Sequence, residues 1–194
     1  MPIKFFDEIP VIPMRGRVIF PNTTVSFDAG RLISLTAVKR AAEGDMQLLV
    51  CAQPESEKDE ITAEDICTVG TVVKIKQITR LPSVFGSVRI LADGLCRVRV
   101  RNFSFDECFL ADADEIKSVH GEPTLEEAYF RTTKDIMRDI TSSENRIGKD
   151  TVARLDRCGD PDEYVNIAAS SLPLRDEVKQ KILECDNVTE RLFG

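Results

Sequence analysis

Nucleophilic catalysis needs a serine or cysteine held beside a base. The only histidine is His120, in a polar stretch between two differently patterned parts of the chain. That is a thin basis for a triad, and the simplest role for His120 is that of a linker residue. A lysine-assisted serine stays open by residue type, yet no serine sits in a glycine-flanked elbow. The six cysteines (Cys51, Cys67, Cys96, Cys108, Cys158, Cys185) make no C-x-x-C pair. Zinc needs clustered ligands at close spacing, so the cysteines read as reduced, small buried hydrophobes. Asp112 and Asp114 share one face of an alternating segment, where solvation is expected rather than general acid work. The phosphate-loop pattern G-x-x-x-x-G-K-[ST] has no match, and no two glycines stand one residue apart. The chain is expected to be no enzyme and to carry no cofactor or metal.

The elements that surround these residues belong to an ordinary globular chain. With 194 residues, 42% hydrophobic and 30% charged, it can build one sizeable domain or two small ones. A net charge of -7 and a pI near 4.9 disfavour gripping phosphate backbones. No apolar run approaches the ~20 residues of a membrane span, and MPIKFFDEIP has no signal-peptide core. A cytoplasmic location without a membrane partner is expected.

"IPMRGRVIFPNTTVSF" (12–27) breaks a strand-forming segment with Pro13, Gly16 and Pro21. Proline removes a donor and suits no central strand, so short β pieces are expected to bend here and to leave Pro21 near a rim. Residues 24–27 read as a strand, and Leu32, Leu35, Val38 and Ala42 as the stripe of a helix that Gly44 ends. "MQLLVCA" (46–52) reads as a buried strand and 53–65 as a solvated acidic loop. Residues 69–81 and 87–105 are strand-rich. Cys96, Val98 and Val100 alternate with Arg97, Arg99 and Arg101, predicting one buried face and one wet, basic one. A hairpin around 105–107 would pair these arginines with Asp112 and Asp114.

Beyond 117–123 the period changes from two to 3.6. Residues 1–116 are therefore expected to form a β-rich lobe, 117–123 a linker, and 124–194 a helical bundle cut short at its last helix. Thr124 and Glu127 match a capping box, with Leu125, Tyr129, Ile136 and Ile140 as the helix stripe. A short helix fits 151–157. Asp160-Pro161 caps the next, and Leu174, Val178, Ile182 and Cys185 stripe another. The tail NVTERLFG reads as one more helix opening, so a fragment of a longer protein is expected.

The segments 9–31, "VGTVVKIKQITRLPSVFGSVRILADGLCRVRV" (69–100) and "LPLRDEVKQKILECDNVTERL" (172–192) together resemble the amino-terminal domain of the ATP-dependent protease Lon. Pro13, Arg15, Phe20-Pro21, Arg31, Gly70-Thr71, Gly94 and Arg97 fall in that family's places. The resemblance implies an α+β fold: a small β-barrel-like, PUA-like lobe with one helix, then an α-helical bundle. It also implies recognition of unfolded or damaged proteins and help in organising a hexamer. The ATPase and Ser-Lys peptidase centres lie in other domains of that family.

Within "TRLPSVFGSV" (79–88), Leu81, Pro82, Val84 and Phe85 are apolar in a connection too long for a tight hairpin. They are expected to form a substrate-binding patch with Pro21 on the same rim. The alternative is that Phe85 folds back onto its own lobe. Rival readings are a stand-alone adaptor module and an RNA-binding lobe using Arg97–Arg101. The acidic total and the lack of aromatics between those arginines count against RNA.

Overall fold

The computed structural model describes residues 2–55, 57–82, 86–143 and 147–193, which fall into two units, Met1–Ile116 and Lys117–Gly194. Its first strand departs from what the prolines predict. β1 runs from Phe5 to Arg15 through Pro10 and Pro13, and it lies inside the sheet. It is covered in two shifts. The first half pairs antiparallel with β6 (Cys108–Glu115) and ends with Val11 opposite Phe109. The second half pairs parallel with β3 (Gln47–Gln53) and starts with Val11 opposite Leu49. Pro10 and Pro13 thus each have a strand on one side only, and a donor-less nitrogen can face the other. The Pro13 carbonyl accepts from the Arg31 guanidinium, which marks that open side.

Alternation makes two cores from the same strands. Ile12, Val50 and Leu110 pack on one face with Ala37, Val38 and Ala41 of α1 (Leu32–Glu43) and Val25 and Phe27 of β2 (Thr24–Ala29). Val11, Leu49 and Phe109 pack on the other with Val72 of β4 (Val69–Arg80) and Val98 of β5 (Val88–Asp106). The six strands form one mixed sheet in the order β2-β5-β4-β3-β1-β6, and β5 also pairs with β6. The β5–β6 hairpin falls where expected, with Phe105 opposite Phe109. Arg101 pairs with Asp114 at 2.9 Å. Arg97 is a correction: it is buried, not on a wet face. It stands opposite Thr71, whose hydroxyl donates to the Ile19 carbonyl at 2.6 Å, so the crossing segment 16–23 covers that place.

That segment is tucked in rather than looped out. Asn22, at φ 59°, donates its N–H to the Gly94 carbonyl, and the Gly94 N–H donates to the Thr23 carbonyl. A Cβ on Gly94 would stand 2.3 Å from the Phe20 carbonyl oxygen. Beside it a register shift between Val72 and Val73 leaves Leu95 unpaired and exposed.

In α1 the apolar face is rotated from the expected stripe. Ser34, Ala37, Val38 and Ala41 are buried while Leu32 is 78% exposed and Ala42 is exposed. Gly44 ends the helix as expected, its N–H bonding the Arg40 and Ala41 carbonyls. The acidic loop is organised from inside by buried Gln53, whose amide donates to the carbonyls of Glu55 and Lys58.

The second unit holds α2 (Pro123–Ser143), α3 (Lys149–Arg157), α4 (Pro161–Ser171), α5 (Asp176–Glu184) and α6 (Val188–Phe193). α2 is capped by Glu122, which accepts from the N–H groups of Thr124 and Leu125, not by a Thr124–Glu127 box. Phe130 and Met137 face the core, whereas Leu125 and Ile136 are exposed. α4 has the expected cap, Asp160 accepting from the Glu163 N–H at 2.9 Å. Arg191 of α6 is fully buried, with its guanidinium on Asp162 and Asn166 and its Nε on the Ile182 carbonyl.

Gly94→Ala should lower the unfolding free energy by about 2–3 kcal/mol, since the clash is with backbone. Gly159→Ala, with open space around it, should change it by less than about 0.5 kcal/mol. Urea titration of both compares them, and equal stabilities would mean that the crossing segment does not need the glycine.

Candidate functional site

The arm formed by β4 and β5 carries the apolar residues expected to bind. β4 leaves the core after Ile75: Lys76, Gln77, Ile78, Thr79 and Arg80 are all exposed, on both faces. A register shift between Ile75 and Gln77 marks the departure. The outer face of the arm is polar apart from Leu91, which is 36% exposed. Arg89 forks onto Asp28 at 2.7 and 2.8 Å, and Lys76 pairs with Asp93 at 2.9 Å. The Thr24 hydroxyl and Lys76 together hold the Asp93 carboxyl below its usual range. The inner face continues the core through Val25, Phe27, Ile90 and Ala92 and then runs out of cover. Ile78 stands opposite fully buried Ile90 but is itself 36% exposed.

The connection follows directly. The Leu81 N–H donates to the Ser87 carbonyl at 3.0 Å, which ties off the arm. Leu81 is half-buried and Pro82 exposed, and Gly86 takes the left-handed turn at φ 81°. Val84 and Phe85, the other two residues expected here, lie outside the described residues. Pro21 is corrected. It is buried beside Gly94, and from Gly94 to Val88 at the far end of β5 is six strand residues, about 20 Å. Pro21 therefore supports the lobe and does not share a rim with Leu81. Ile78 was missed by sequence reading, because period two counted from Val73 and Ile75 puts it on the opposite face, and only the register shift between Ile75 and Gln77 turns it toward Ile90.

His120 has more company than a linker residue needs. Its Nδ1 lies 2.8 Å from Glu126 Oε1, and the buried Glu126 also accepts from the Gly121 N–H and the Thr189 hydroxyl, each at 3.1 Å. The neighbouring backbone is fastened as well: the Val119 N–H donates to the Asp186 carbonyl, the Val188 N–H to the Val119 carbonyl, and Ser118 to Asp162. Residues 118–121 are thus part of the helical unit. The contacts of this cluster hold structure together.

All six cysteines are free thiols, and burial pushes the Cys51 thiol far up, away from a reactive thiolate. Among the described residues no group of His, Cys, Asp and Glu could hold a metal, and no helix is long and apolar enough to cross a membrane.

The fold is that of solved Lon amino-terminal domains. The N-terminal domain of a Mycobacterium avium complex Lon protease superposes with a TM-score of 0.79 at 18% identity, covering 98% of this chain and 95% of that one. A Lon N-terminal domain protein from Xanthomonas campestris gives 0.64 at 16%, covering 97% and 96%. In sequence, the chain is 33% identical over 195 residues to the Lon protease of Clostridioides difficile (strain 630). It is 30% identical over 186 residues to that of Brevibacillus choshinensis. These alignments cover 97% and 95% of this chain but only 24% of either relative's length. Residues 8–193 match the family described as the ATP-dependent protease La (LON) substrate-binding domain, and the chain belongs to that family.

The His120 cluster gives a pH signature with a definite sign. The hydrogen bond to Glu126 raises the His120 pKa above 6.5. Burial works to raise Glu126, but the bonds from His120, Gly121 and Thr189 outweigh it and leave its pKa below 4.5. The histidine contribution is full below about pH 6.5 and fades as pH rises through the folded value; that of Glu126 is full above about pH 4.5 and fades on acidification. The stability lost in His120→Gln should therefore be largest near pH 5–6 and shrink above about pH 8. Thermal melts of both chains across that range would show it, and a difference independent of pH would mean that the pair is not ionised.

Proposed function

We propose that this chain is the non-catalytic recognition and assembly region of an ATP-dependent cytoplasmic serine protease of the Lon type. It takes unfolded or damaged proteins through the end of the β4–β5 arm and self-associates within the parent hexamer. The observation that carries this reading is the way the arm leaves the core with Ile78 and Pro82 exposed and Leu81 half-buried. Val84 and Phe85 continue the same apolar run in sequence. Family membership supports it, since substrate binding is what the family is described by.

The pairing of β5 with both β4 and β6 supports reading the first unit as a small closed sheet of the PUA-like kind. Residues 1–116 are then the recognition lobe and 124–194 a helical bundle, with the 117–123 junction fastened on the helical side through residues 118–121. Chemistry would belong to the parent's other domains, in keeping with a sequence that has no phosphate-loop pattern.

Recognition of unfolded chains needs contacts indifferent to exact sequence. Burying one Leu or Phe side chain is worth about 1.5–3 kcal/mol. A few such anchors, less the cost of association, reach roughly micromolar affinity. Weak binding suits a region that must release its client.

Leu81→Asp and Phe85→Asp should each weaken binding of a labelled unfolded protein about tenfold or more, equivalent to about 1.4 kcal/mol. Pro82→Asp, at an exposed site, should do so with a stability change under about 1 kcal/mol. Arg99→Ala should leave binding nearly unchanged. A titration and a thermal melt for each variant decide the matter: binding that survives all three apolar changes, in chains that remain folded, ends this reading. The isolated chain should also neither hydrolyse ATP nor cleave casein.

A further inference from the structure

We infer that the groove between the start of β1, the end of α1 and the β5–β6 turn is a second seat for unfolded chain. It selects extended segments that combine an apolar side chain with a lysine or arginine. The inference rests on the reading that this chain binds unfolded proteins, and it adds a site and a charge preference.

The groove measures roughly 800 Å³. Its floor is apolar, with Ile9, Ala41 and Leu110 buried, and its rim carries Phe5 and Phe105, 67% and 60% exposed. Phe105 stands edge-on to Phe109, ring centroids 5.2 Å apart. It is also a ridge shared with a smaller pocket of about 350 Å³ that Ile61 and Phe103 line. Two exposed aromatic rings beside an apolar floor make an anchor site of the kind that dominates peptide affinity.

The charge is one-sided. Asp7, Glu8, Asp45 and Asp106 line the groove against the single guanidinium of Arg40. Arg40 is engaged with Asp106, and Arg101 reaches Asp7 at 3.7 Å from outside. Lys74 binds the Asp45 carbonyl oxygen, not its carboxylate. Among the described residues no ion pair involves Glu8 or Asp45. A concave site with such an excess draws cationic segments.

The backbone supports the same place. Of the four described non-glycine residues with left-handed φ, three lie on segments that form this groove: Glu8 at 50°, Met46 at 64° and Glu107 at 60°. Such conformations cost energy and persist where the surroundings enforce them. Glu8 is enforced by its N–H on Asp112 Oδ1 at 3.0 Å, within the register shift between Phe6 and Ile9. Pro10 on the wall has no N–H to offer. The occupant is therefore held by side chains and charge, not by strand addition.

The test uses two fluorescent peptides with the same Phe and Leu anchors in a Ser/Gly background, one carrying two lysines and the other two glutamates. With the 194-residue chain, the lysine peptide should bind about fivefold or more tightly at low salt, and the difference should collapse near about 1 M salt. Phe105→Asp should weaken the lysine peptide about tenfold. Glu8→Lys, at an exposed side chain with no bonded partner, should erase or reverse the preference without moving the melting temperature. Equal binding of the two peptides, or an unchanged preference in Glu8→Lys, overturns the groove even when unfolded protein still binds and Leu81→Asp still weakens it. If neither peptide nor unfolded protein binds the parent chain at all, the broader reading falls with it.

Discussion

The lobe depends on a close approach of backbone to backbone. The segment 16–23 crosses the sheet so tightly that Phe20 and Pro21 lie against Gly94, and Ile19 is held by the Thr71 hydroxyl. Gly70, next to Thr71, is pinched in the same manner: a Cβ there would meet the Val50 carbonyl at 2.5 Å and the Cys51 sulfur at 2.6 Å. Gly94 thus clears space for the crossing segment, and Gly70 for a close approach of its ladder partner β3. With the crossing closed, Phe20 is fully buried and Arg97 is covered. On the open side of β1, Arg31 binds both the Pro13 carbonyl and Gln53, and Gln53 in turn gathers the acidic loop.

Seen this way, the residues that make the sequence recognisable are packing residues. Phe20, Pro21, Thr71, Gly94 and Arg97 serve the crossing, Gly70 the close approach of β3, and Pro13, Arg15 and Arg31 the latch that holds the acidic loop. None of them is an exposed apolar anchor. A family pattern built on close approaches identifies a fold with great specificity because each position tolerates few alternatives. It is silent about clients for the same reason, since contacts with varied unfolded chains leave no tight steric demand.

Much of the architecture was nevertheless legible. A compact apolar run marked β3, strand-rich composition marked β4, and period two marked β5, so that the turn at 105–107 was readable between the Cys96–Arg101 alternation and Asp112 and Asp114. Gly44 and Asp160-Pro161 marked helix ends by their chemistry. The failures share a cause. In α1 and α2 the apolar residues Leu32, Leu125 and Ile136 were assigned to the buried stripe, yet each helix turns a neighbouring face inward. A helix with apolar residues on more than half its circumference has several workable stripes, and tertiary packing chooses among them. Pro13 failed differently, because strand cover on only one side is a property of the whole sheet order.

The same sheet order explains where recognition can occur. Alternate residues of the inner strands are consumed by two cores, so neither face of the sheet is free over its middle. Apolar surface persists mainly where strands outrun their partners. β4 does so at the arm, beyond its last pairing with β3 at Lys74, and β5 and β6 do so at the turn that carries Phe105. Charge differs between these two ends. At the arm the outer face is neutralised by Arg89–Asp28 and Lys76–Asp93 pairs, so apolar contact is left as the main attraction. At the turn, carboxylates exceed cations, so contact there is conditional on the charge of the chain that arrives. On the proposed reading, a lobe with one permissive end and one selective end would hold many clients weakly while still favouring some, which a single uniform hydrophobic patch would not do.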